Sequence, residues 1–211
     1  MTQRLSAVVF AGLAWLSIPT SASASTLTLV DDVGGFGTNA LVLDSATNLR
    51  WLNLRFTTGL SFNDISAELG PAGTFDGFRY ATRAEVTTFW TDAGIPNLSG
   101  FGSAANYAPI QALEAMIGTN DCGGLCSNGI SGDVGGPGSQ RMLFVQVNSS
   151  GLGFAQLTCC AASVTLRSTG LGSWLVKEPE LGPTAVPEPA TLVLLGSGLL
   201  GMARWRQRRE P

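Results

Sequence analysis

The chain contains no histidine. That absence removes Ser-His-Asp and Cys-His catalysis, histidine-ligated zinc, and imidazole as a general acid or base. Charge is also scarce, at 13% of residues. Within residues 25–186, seven basic side chains stand against 13 acidic ones, a balance of −6. Nothing there offsets phosphate charge, so nucleic acid is not expected as a partner and anionic membrane surfaces are poor ones. No internal repeat is present, no Ser or Thr sits in a nucleophile-elbow sequence, and no glycine-rich loop follows a strand in phosphate-binding order. No carboxylate pair is singled out by spacing. No catalytic residue, metal site or cofactor is therefore assigned.

What the chain does have is two processed-looking ends. Arg4, a mostly apolar run over residues 5–18 and the small residues Ala22-Ser23-Ala24 come in the order of a secretory signal peptide, with cleavage by signal peptidase after Ala24. The competing account, a buried N-terminal helix, gives no reason for that order. At the other end, residues 190–203 are 14 positions without a charge. As a helix they span about 21 Å, short of a hydrocarbon core of roughly 30 Å. Pro187 and Pro189 keep the helix from extending backwards. Arg204, Arg206, Arg208 and Arg209 form a basic stop that stays in the cytoplasm by the positive-inside rule, leaving the rest of the chain outside. A signal peptide demands the same topology.

The stretch VPEPATLVLLGSGLLGMARWRQRR, with Val186, Pro187, Glu188 and Pro189 at its head, resembles the PEP-CTERM sorting signal of Gram-negative bacteria. The resemblance implies transient inner-membrane anchoring, recognition by an exosortase-type membrane protease, cleavage near the Pro-Glu-Pro step, and release to the cell surface or the extracellular space among exopolysaccharide. An ordinary single-pass anchor is the alternative.

All four cysteines lie in the exported part: Cys122, Cys126, Cys159 and Cys160. An oxidising destination favours disulfides, and a bridge between the adjacent pair would be strained, so two bridges from the glycine-rich segment to the 159–160 strand are favoured. A four-thiolate metal site is the rival, disfavoured because adjacent cysteines on a strand point to opposite faces.

Between the ends, the pattern predicts one α+β domain over residues 25–177, with antiparallel strands around two or three short helices. Residues 178–189 form a linker carrying the Pro-Glu-Pro motif, and residues 190–211 are the sorting helix and basic tail. Strands are predicted at 26–30, 40–44, 49–54, 141–147, 153–157, 162–167 and 172–177. One helix starts after Ser61, with Asp64 completing its cap, and a second follows Thr82 and Glu85 with Val86, Phe89, Trp90 and Ala93 as its apolar stripe. A third is predicted over 109–117, and residues 119–140, with seven glycines, read as a long loop.

DSATNLRWLNL followed by GFRYATRAEV resembles bacterial C-type-lectin-like exported domains, the motif falling on Gly77, Phe78, Arg79, Thr82 and Glu85. Phe78 and Ala81 stand where that pattern has Trp and Pro. Trp51 and Trp174 could offer stacking faces to a sugar and Arg79 could bind an acidic one. Core packing for the tryptophans and pairing of Arg79 with Asp76 or Glu85 are the competing accounts. Asp31, Asp32, Asn120, Asp121, Asn128 and Asp133 offer oxygen ligands but match no calcium-loop spacing, which makes turn chemistry the better account. The sequence thus points to a non-catalytic, exported surface or matrix protein associated with exopolysaccharide. A carbohydrate-binding lectin-like module is the alternative, with an extracellular hydrolase using carboxylates behind it.

Overall fold

A computed structural model describes residues 26–32, 35–120 and 126–179. The predicted signal peptide, the sorting motif, the basic stop and Cys122 lie outside the described residues. Nine strands and three α-helices are described, in an α+β arrangement built on two sheets. The first sheet holds β1 (Leu27–Asp32), β2 (Gly37–Asp44), β3 (Arg50–Leu52), β4 (Phe78–Tyr80) and β9 (Leu175–Lys177) in the order β1-β2-β3-β9-β4, every neighbouring pair antiparallel. The second holds β5 (Cys126–Gly136), β6 (Ser139–Val147), β7 (Gly153–Ser163) and β8 (Gly172–Ser173) in the order β7-β6-β5-β8. Its β5–β8 pair is parallel.

The helices start where their caps require. α1 (Phe62–Ala67) and α2 (Arg83–Asp92) both carry full capping boxes, Ser61 with Asp64 and Thr82 with Glu85, each satisfying two otherwise orphaned N–H groups. Val86, Phe89 and Trp90 bury the stripe of α2 in the main core, and the helix ends ahead of Gly94. Among the described residues no helix is long and apolar enough to cross a membrane.

Four expectations need correction. α3 runs from Ala104 to Ile117, five residues earlier than predicted, with Pro109 inside it. Tertiary bonds hold this extra turn: buried Asn106 donates to Asn97 O and accepts from Asn97 N, and Ser103 and Gly153 exchange backbone bonds. The glycine-rich segment read as a loop is largely strand β5. A Cβ at Gly129 would stand 2.7 Å from the Trp174 indole nitrogen, and one at Gly135 would stand 2.6 Å from Ala161 Cβ. Only glycine lets the neighbours approach so closely, and the pairing with β6 overrides the poor strand propensity. β7 runs on to Ser163, absorbing the start of the strand expected at 162–167. The segment 172–177, expected as one strand, divides between the sheets at Trp174, whose N–H donates to Ile130 O and whose carbonyl accepts from Ala81 N.

Trp174 is also the centre of the core. Its ring meets Trp51 and Trp90 edge-on at 6.4 and 5.9 Å between centroids, Trp51 stacks on Phe89 at 4.2 Å, and the Trp174 indole donates to Leu143 O. A smaller aromatic cluster of Phe36, Phe56, Phe75 and Phe78 packs on the other side of the first sheet.

Candidate functional site

The residues singled out as ligand contacts take structural places. Trp51 is 1% exposed and Trp174 is 0% exposed, so neither offers a ring face to solvent. Arg79 forms a fork on Glu85, at 3.0 and 2.6 Å, and also reaches Glu178 at 2.7 Å. The Glu85 hydrogen bonds hold the guanidinium pKa above its ordinary value and depress the Glu85 carboxyl. The Gly77–Glu85 motif thereby ties β4, the cap of α2 and the end of β9 together. The oxygen-rich side chains behave as turn ligands: Asp31 accepts from Asn39 N, Asp32 from Phe36 N, Asn120 from Asn128 N, and Asp133 from Ser131 Oγ and Arg83 N. Asp121 lies outside the described residues. No group of three or more Cys, Asp or Glu that could hold a metal occurs among the described residues. No cysteine is free among them.

Among the described residues, two concavities stand as candidate sites. The first is a groove of about 570 Å³ along α1. Phe56 and Phe75 give it an aromatic floor, backed by Phe36. Its rim is charged but fully engaged. Arg167 forks onto Asp64 at 2.8 and 2.6 Å, Asp64 also receives the Ser61 N–H and hydroxyl, and Glu68 accepts from Thr74 N and Oγ1. The Arg167 bond, followed by the Ser61 bonds, holds the Asp64 carboxyl far below the usual carboxylate range. Tyr80 stacks on Phe62 at 4.4 Å, and burial pushes its phenol up to about 12.

The second is a cavity of about 310 Å³ at the end of α3, lined by Gln111, Glu114, Ala115 and Thr119. Glu114 is 5% exposed, and its Oε1 is buried without a hydrogen-bond partner. Burial alone pushes this carboxyl up to about 7. Gln111, one turn before Glu114, donates its amide N–H to the Tyr107 hydroxyl at 3.2 Å.

A third carboxylate feature is closed to ligands on one side. Asp44 is fully buried at the end of β2 and accepts from Ala46 N and Thr47 Oγ1. Asp92, at the end of α2, has its pKa raised by burial, then by the Asp44 charge and a hydrogen bond to it.

Sequence reasoning missed Glu114 and the Asp44–Asp92 pair. Glu114 sits one position past buried Leu113 on a helix face that runs from Ile110 to Ile117, and its spacing of four residues from the first and three from the second was the available signal. Asp44 and Asp92 are 48 residues apart in the chain, and no local pattern joins them.

The described domain is that of an exported α+β protein, and the tail says how it is sorted. Residues 185–209 match the profile of the PEP-CTERM protein-sorting motif. The chain thus carries a PEP-CTERM sorting motif, a signal that implies handling by an exosortase and marks an exported protein, anchored for a time at the membrane through its C-terminus and then surface-localised. No curated protein and no solved structure matches the chain.

Proposed function

We propose that this protein is a non-catalytic component of the extracellular polymer layer, exported, released by cleavage near Pro187-Glu188-Pro189 and associated with exopolysaccharide. The observation that carries the proposal is the sorting motif over residues 185–209. The groove along α1 supports it: half-buried Phe56 supplies apolar surface, and Asp64, Glu68 and Arg167 supply planar polar groups suited to sugar hydroxyls. Residues 190–211 anchor the precursor in the inner membrane, with the four arginines on the cytoplasmic side.

Two disulfides fasten the surface of the second sheet for this environment. Cys126 and Cys160 are disulfide-bonded. They sit opposite Gln146 and Met142 on the two flanks of β6, too far apart to bond each other. The whole 159–160 strand lies across β6 from Cys126, so the strand register counts against the expected bridge from Cys126 to that strand. Peptide mapping under non-reducing conditions decides the pairing; a peptide joining Cys126 to Cys159 or Cys160 would overturn this reading.

A lectin-like module is the second reading, favoured by the way Arg79, Thr82 and Glu85 form one bonded unit. The test of the main proposal is co-sedimentation of the protein, purified from its host, with the host's exopolysaccharide, with and without calcium. Saturable binding that calcium leaves unchanged is expected. Binding that needs calcium would favour the lectin-like module, polymer breakdown would replace both with a hydrolase, and no binding by folded protein would overturn the polymer association.

A further inference from the structure

Glu114 calls for an explanation that the groove does not supply. A buried carboxyl with an unpartnered oxygen costs on the order of 1–3 kcal/mol, more when ionised, and native chains carry few such groups without a use. This one lines a cavity at the lower end of the size range of small-molecule sites. Three of its lining residues carry acceptors: the Glu114 carboxyl, the Gln111 side-chain amide and the Thr119 hydroxyl. The last turn of α3 adds the negative end of a helix of 14 residues.

We propose that this cavity is a binding site for a small ligand bearing a primary ammonium group. Such a group carries one positive charge and three N–H donors, which match one carboxylate and two neutral acceptors. A divalent cation is the poorer fit, because Ca²⁺ takes six to eight oxygens and Mg²⁺ a strict octahedron, whereas the lining offers a single carboxylate. A neutral sugar would leave the charge of Glu114 uncompensated. The site stands apart from the α1 groove, so its success or failure does not decide the polymer proposal.

The test is calorimetric titration of the full chain, disulfides intact and in mild detergent, with glucosamine and with propylamine as probes. Glucose, N-acetylglucosamine and calcium chloride are titrated in parallel. One-to-one binding of at least one amine is expected, weakened at least tenfold in Glu114→Gln and several-fold in Thr119→Val, with no binding by the neutral sugars. Thermal unfolding of both variants confirms that they fold. The proposal is overturned by absence of binding with both amines, by equal binding to Glu114→Gln, by equal binding of glucose, or by a site that takes calcium alone.

Discussion

The α1 groove and the α3 cavity each hold a glutamate or aspartate near a depression, and they treat it in opposite ways. In the groove, Arg167 and Ser61 satisfy Asp64 and hold its carboxyl ionised far below the usual range. In the cavity, burial without a partner pushes Glu114 up to about 7. Environment, not residue type, sets the chemistry of each. A satisfied rim is suited to weak, repeated contact with neutral polymer, while an unsatisfied carboxyl is suited to one charged group.

The largest effect expected from breaking this contrast is in Glu114→Gln. Below pH 4.5 the carboxyl is neutral in both native and unfolded chains. As pH rises from 4.5 towards about 7 the unfolded chain ionises first, so the wild-type native state loses stability, and the loss is complete above that range. The full shift corresponds to ~3 kcal/mol, and water at the cavity mouth screens part of it. Denaturant unfolding should therefore show the variant more stable by about 1–2 kcal/mol at pH 8 and equal to wild type at pH 4. A gain that is the same at both values would mean that packing, not ionisation, is responsible.

Supplying a partner sharpens the same contrast. Gln111→Lys places an ammonium one turn before Glu114 on α3 and should lower the Glu114 pKa by about one unit, read from its side-chain carboxyl resonance by NMR. The same variant should compete with the amine probes. An unchanged pKa would mean that the two side chains do not share the cavity.

The smallest effect is expected in the groove. Arg167→Ala should return the Asp64 pKa towards its ordinary value while changing the melting temperature less than Glu114→Gln does, because the pair is exposed and screened. The difference should shrink further in high salt. A large, salt-independent loss would show that the pair carries the local fold.

The sequence made local features legible and distant ones opaque. The capping boxes at Ser61–Asp64 and Thr82–Glu85 each lie within four residues and were readable as written. The Asn148 turn between β6 and β7 is equally local, its side chain accepting from Ser150 N and Leu152 N. β5 was not, because its glycines are strand residues only by virtue of Trp174 and Ala161 pressing on them. The first turn of α3 was hidden likewise, resting on Asn97 and Gly153 rather than on its own propensity. Trp51 and Trp174 carried two readings in sequence, and burial assigns both to the core. The chemistry of Glu114 follows from what fails to touch it, which no residue pattern records.

The central claim is that this domain reaches the surface through its C-terminal signal, and the mass of the mature chain recovered from the host tests it most directly. A chain beginning after Ala24 and ending near Pro187-Glu188-Pro189 is the predicted result. Surface protein that still ends at Pro211 would contradict it.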